Sequence, residues 1–166
     1  MKTDLKKILT QRLKNTKKLA ILGIGSELMQ DDAAGIFVTQ NLIKKFGEGN
    51  SNFRIYTGYT TPENFTKIIS DFHPENLIII DAADLKMPPA SYSEVPVERI
   101  TDFSLGTHKL SLIMMIKYLK EVIDPKFTVL AIQYKSVEFN GKMTNEIKSA
   151  VKQVTNFLSE ILESFS

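Results

Sequence analysis

Two aspartates and a histidine stand where a chain can do metal chemistry. Asp32 follows Asp31 beyond a glycine-bearing apolar run, Asp81 closes the run Leu77-Ile78-Ile79-Ile80, and His108 follows Thr107 just ahead of a helical segment near Leu110. In an open parallel sheet, ligands gather outside the carboxyl ends of the strands. All three residues are expected in loops or at element ends that open on that edge. Two carboxylates and an imidazole suit a borderline divalent metal such as nickel, zinc or manganese, with a coordination position left open for a substrate ligand. Each residue also has an ordinary explanation. Asp31 and Asp32 can cap a helix and complement its dipole, Asp81 can cap a turn, and a lone histidine is commonly structural. The second histidine, His73, precedes the strand that carries Asp81. About seven strand residues at about 3.3 Å each span roughly 23 Å, so His73 is expected at the opposite edge.

Composition narrows the possibilities. A length of 166 residues suggests one domain, 1–166, with residues 1–17 as an amphipathic N-terminal extension. Hydrophobic residues make up 43% and charged residues 24%, too apolar for a disordered chain. There are no cysteines, which excludes a disulfide framework, a thiolate metal site and a cysteine nucleophile. Lysine and arginine number 21 against 19 acids, a net charge of +2, which gives no global basic field for nucleic acid. Residues 1–18 hold no apolar stretch of the signal-peptide kind, and no run of 18 apolar residues exists. The expectation is a cytoplasmic protein without a membrane span.

The hydrophobic pattern predicts the elements that hold the polar residues. Leu5, Ile8, Leu9 and Leu13 give a first helix over residues 4–14, more simply packed on the domain than docked on a partner or membrane. Leu19 to Gly25 reads as a buried strand, Ser26 to Gln30 as a loop, and Asp31-Asp32 as the opening of a helix with an apolar face from Ala34 to Ile43. A second strand covers Phe53 to Gly58. Thr61 as cap and Pro62 at the first helical position start a helix burying Phe65, Ile68, Ile69 and Phe72. The strand Leu77 to Asp81 precedes an irregular stretch, Lys86 to Ser93. A helix over residues 110–122, a strand over 127–132 and a helix over 145–165 complete the chain. Alternating short strands and helices predict an α/β fold, a three-layer α/β/α sandwich with a mostly parallel central sheet. Gly23-Ile24-Gly25 lacks the third glycine of a dinucleotide fingerprint, and two acids beside it disfavour a phosphate.

With these residues in place, the chain resembles the hydrogenase maturation endopeptidases. The resemblance rests on Ile21 to Gly35, Thr61-Pro62-Glu63-Asn64, Leu77 to Asp84 and Thr107-His108-Lys109-Leu110, in order and spacing, over most of the chain from about Lys18. It looks like the subgroup serving hydrogen-evolving, hydrogenase 3-type enzymes. The resemblance implies an endopeptidase, aspartyl or metal-assisted, that removes the C-terminal extension of a nickel–iron hydrogenase large-subunit precursor after nickel insertion. It implies that Asp32, Asp81 and His108 bind the substrate-borne nickel, with zinc or cadmium able to substitute. It also suggests a monomer whose partner is the precursor. The alternative is a nickel-binding, non-proteolytic relative acting in hydrogenase assembly. Three departures stand out: Ser26 where the family commonly has Asn, Ala33 where Gly is common, and Thr57 where some members carry an acid. No general base is assigned. Glu63 and Asp31 are the candidates, against the simpler readings of a first-turn dipole partner and a cap. Ser104 and Ser111 flank His108 outside any recognisable nucleophile elbow or triad.

Overall fold

The computed structural model describes residues 2–102 and 109–165. Its centre is a five-stranded sheet built from β1 (Leu19–Ile24), β2 (Phe53–Tyr59), β3 (Asn76–Ala83), β4 (Tyr92–Val95) and β5 (Lys126–Gln133), in the order β2-β1-β3-β5-β4. The pairs β1–β2, β1–β3 and β3–β5 are parallel, and β4 runs antiparallel along β5. The helices are α1 (Lys2–Leu13), α2 (Ala34–Phe46), α3 (Thr66–Phe72), α4 (Lys109–Val122) and α5 (Asn145–Glu163).

β1 and β3 are buried along their whole length, which is why they read as continuous apolar runs. Their side chains divide by parity. Leu19, Ile21, Ile78 and Ile80 face a core completed by α1, α2 and α5. Ala20, Leu22, Leu77 and Ile79 face a second core completed by α3 and α4. The α/β sandwich is therefore the architecture observed. α1 belongs to it: Leu5, Leu9 and Leu13 are buried, and the Arg12 guanidinium holds both Glu94 carboxylate oxygens at 2.6 and 3.0 Å and Thr128 Oγ1 at 3.0 Å. α5 buries all eight residues of its predicted apolar face, Ile147 through Leu162.

Several local expectations are corrected. Ile8 and Ile68 are each 50% exposed rather than buried. Thr61 precedes a 3-10 turn, Pro62–Phe65, and its side chain caps nothing, although Pro62 does occupy the first helical position. Asp31-Asp32 lie in another 3-10 turn, Gln30–Ala33, and α2 starts only at Ala34. The stretch expected to be irregular ends in β4. Four residues, three of them half-buried, on a sheet edge carry too little apolar pattern to announce a strand.

Candidate functional site

Asp81 is the sixth residue of β3 and projects on the parity of Leu77 and Ile79, toward the α3/α4 side. Its exposure is 0%. Oδ1 accepts the Ala82 N–H at 2.8 Å, whereas Oδ2 has no hydrogen-bond partner. The turn Gln30–Ala33 packs against β3 and brings Asp32 to the same edge, 7% exposed. Asp32 Oδ2 accepts the Ser26 N–H at 2.8 Å, which folds the loop after β1 back on itself. Burial, and then the neighbouring Asp32 carboxylate, push the Asp81 carboxyl well above the ordinary value of 3.8, while the Ala82 N–H pulls it down. A buried carboxylate oxygen without a donor, within the field of a second carboxylate, is costly unless a proton or a cation relieves it. The pair fits a hard or borderline cation through oxygen donors.

The glycines around this edge are there for contact. A methyl on Gly35, the second residue of α2, would collide with the backbone oxygens of Ile80 and Ile24. The start of α2 therefore packs against β1 and β3 at the height of Asp81. Gly25 has φ +147°, a conformation suited to glycine, and a side chain there would run into the Asp32 carbonyl. A side chain on Gly23 would strike the Gly35 carbonyl and Thr39 of α2, so the Gly23-Ile24-Gly25 run sets helix–sheet distance and the course of the Asp32 loop, which accounts for it without a phosphate.

Asp31 has a different task from the one expected. It is fully buried, and its carboxylate accepts the N–H groups of Lys135 and Ser136 at 3.0 Å each, the Thr144 N–H at 2.8 Å and the Thr144 hydroxyl at 2.9–3.0 Å. Neither Asp31 nor Asp32 caps the turn or α2 through its side chain. Asp31 instead ties the turn that carries Asp32 to the segment joining β5 and α5. Four donors, the Thr144 hydroxyl lying within reach of both oxygens, engage its carboxylate, so Asp31 acts as a clamp. Glu63 is exposed in the first turn after Thr61.

His108, Thr107 and Ser104 lie outside the described residues. The helix that follows His108 in sequence, α4, begins at Lys109 and packs through Leu112, Met115, Ile116 and Leu119 on the sheet face that Asp81 shares. Among the described residues no three His, Asp or Glu side chains are grouped to hold a metal ion. His73 ends α3 in a left-handed conformation just before β3 starts at Asn76, at the edge opposite Asp81. Two further residues hold positions around this edge. Gln133, buried at the end of β5, accepts the Leu85 N–H at 2.6 Å and donates to the Tyr134 carbonyl at 3.0 Å, fixing the chain after Asp81. Its signal was the one that marked Asp81, a polar residue closing an apolar strand. Thr39, buried on α2, has its hydroxyl 3.1 Å from the Ile36 carbonyl and 2.9 Å from the Thr57 hydroxyl. No helix among the described residues is long and apolar enough to cross a membrane.

Comparison with known proteins gives one result from three directions. The family model HycI, hydrogenase maturation protease, matches residues 36–161. A Methanocaldococcus jannaschii protein that bears a provisional name as a hydrogenase maturation protease is 36% identical over 164 residues, covering 96% of each chain. The hydrogenase 3 maturation protease of Escherichia coli K12 is 32% identical over 135 residues, covering 81% of this chain and 84% of its own. Among solved structures, a [NiFe] hydrogenase maturation protease from Thermococcus kodakarensis superposes with a TM-score of 0.82 at 23% identity, covering 94% of this chain and 99% of its own, a likeness of fold.

Proposed function

The chain belongs to the hydrogenase maturation protease family, and from that premise we propose that it removes the C-terminal extension of a nickel–iron hydrogenase large-subunit precursor once nickel has been inserted. The family is one of hydrolases, and the proposal adds substrate, timing and recognition. Asp32, Asp81 and His108 are its metal-recognising residues, and the nickel they engage is carried by the substrate. One observation supports this above the others: Asp81 Oδ2 is buried without a partner, beside the Asp32 carboxylate, at the edge where α2 meets the sheet. A divalent cation supplies the charge that this arrangement lacks. The chain has no cysteine, so its donors are oxygen and nitrogen and suit open coordination shared with a substrate.

Each residue then has a defined part. Asp81 and Asp32 contribute carboxylate oxygens, Ser26 and Ala82 aim them through their N–H groups, and Asp31 and Gly35 fix the turn from which Asp32 projects. Substrate-borne nickel held by these residues would supply Lewis-acid polarisation of a carbonyl or a water, as bound metals do in hydrolysis. Thr57 supplies no carboxylate, and its hydroxyl is engaged with Thr39, so a scheme needing an acid at that position does not operate in this chain. The reading takes the protein as a cytoplasmic monomer.

Calorimetric titration with nickel or cadmium tests the ligand set. Binding by wild type that is lost in His108→Ala agrees with it, and unchanged binding in the variant contradicts it. Incubation with nickel-loaded precursor separates the protease from a nickel-binding relative without activity, since only the protease shortens the precursor.

A further inference from the structure

β2 is an edge strand, and its outer side is only half covered. In a parallel ladder both backbone groups of alternate residues point to the same neighbour. Leu19 N–H bonds the Asn52 carbonyl, which fixes the phase: Arg54 and Tyr56 face β1, while Phe53, Ile55 and Thr57 face outward. The chain itself covers the first part of that outer row. The turn after α2 folds back, with Asn50 N–H donating to the Phe53 carbonyl at 2.8 Å and Ile55 N–H donating to the Glu48 carbonyl at 3.0 Å, an antiparallel contact marked by the Gly49–Arg54 bridge. Beyond it the Ile55 carbonyl and both backbone groups of Thr57 have no partner among the described residues.

The open half is the one next to the site. Gly25 N–H bonds the Tyr59 carbonyl at 2.9 Å, and the next residue, Ser26, donates to Asp32 at 2.8 Å. Two hydrogen bonds therefore join the end of β2 to a proposed metal ligand. Alongside lies a cavity of about 520 Å³, walled by Ile43 and Lys44 of α2 on one side and by Phe65 and Ile68 on the other, with Tyr59 at its end. Among the described residues, the Ile68 side chain and the Tyr59 ring are left exposed there.

We propose that this half-edge is where the precursor's tail binds, as an extended strand added to β2 at Ile55 and Thr57, leading the scissile bond toward Asp32 and Asp81. The inference rests on the protease reading given above. The occupant follows from the chemistry of the surface. A row of one N–H and two carbonyls at strand spacing is matched by another extended backbone. Alternate side chains of that strand would enter the cavity toward Ile43 on one face of the sheet and toward Phe65 and Ile68 on the other. The turn at residues 48–50 caps the far half of the edge, so the added strand is short and confined to the end beside the metal ligands.

The test compares Thr57→Pro with Thr57→Val on the full-length protein. Both lose the hydroxyl contact with Thr39, but only proline removes the outward N–H and blocks the edge, and it breaks no bond to β1. With nickel-loaded precursor as substrate, KM of T57P is expected to exceed that of T57V by about tenfold or more, since a lost backbone bond leaves a tail carbonyl unpaired. Equal KM values, in a wild-type background that cleaves, overturn the strand-addition proposal and leave the protease reading standing. Absence of cleavage by wild type overturns the protease reading itself. If T57P fails to fold, amide hydrogen exchange of wild type decides: slowed exchange of Thr57 on adding precursor agrees, and unchanged exchange overturns. A wild-type dimer in sedimentation that T57P converts to monomer would assign the edge to a second copy of this chain and overturn the tail proposal.

Discussion

Asp81→Asn should make the metal-free protein more stable while abolishing its metal binding. The folded chain holds the Asp81 carboxylate fully buried, with one oxygen unpartnered and Asp32 adjacent. An unpaired buried polar group costs about 1–3 kcal/mol, and more when charged. Asparagine keeps an oxygen for the Ala82 N–H and removes the charge. A gain of about 1–3 kcal/mol at pH 7 follows, which for a chain of this size corresponds to a Tm rise of about 3–10 °C. The sign of the pH dependence is fixed by linkage. Folding raises the Asp81 carboxyl above its ordinary 3.8, first through burial and then through Asp32. Its contribution to stability is therefore complete below the ordinary value and is lost as pH rises through the raised one. The gap between variant and wild type should open as pH rises and close near pH 3. Urea unfolding with a chelator present, repeated across pH, measures it. Nickel at a hundredfold over its Kd should then stabilise wild type by about 2.7 kcal/mol and leave the variant unchanged. A variant less stable than wild type at pH 7 without metal, or a gap independent of pH, would refute the reasoning.

Three further substitutions probe the scaffold. Asp31→Ala leaves the N–H groups of Lys135, Ser136 and Thr144 without their acceptor, and should cost about 2–4 kcal/mol in urea unfolding. Gly35→Ala forces a methyl against the Ile80 and Ile24 carbonyls, so the urea midpoint should fall by the equivalent of about 1–3 kcal/mol despite alanine's better helix propensity, and nickel affinity should fall with it. Arg12→Ala breaks the bidentate pair with Glu94, about one-third exposed on either side, and should cost about 1 kcal/mol, shrinking as salt is raised.

The sheet was legible in the sequence because strands buried on both faces must be apolar throughout, as Leu77 to Ile80 are. α5 was legible because its buried stripe repeats at helical spacing. β4 was not: an edge strand of four residues owes its existence to pairing with β5 and to Arg12 reaching Glu94, both long-range. Asp32 and Asp81 could be picked out as carboxylates beside apolar runs, and the structure does bring them together. Their neighbour Asp31 reads identically in sequence, yet its carboxylate is consumed by Lys135, Ser136 and Thr144, more than a hundred residues away. No local pattern separates a clamp from a candidate ligand when the partners are that distant. Thr39 is hidden for the same reason: a single polar residue in an apolar helix has meaning only once its partner across the fold, Thr57, is known.

The central claim is that cleavage waits for nickel. Its direct test is mass spectrometry of the large-subunit precursor after incubation with this protein, with and without inserted nickel. Release of the C-terminal extension from the nickel-loaded precursor alone is the predicted result. Equal release from the metal-free precursor, or no release from either, would contradict it.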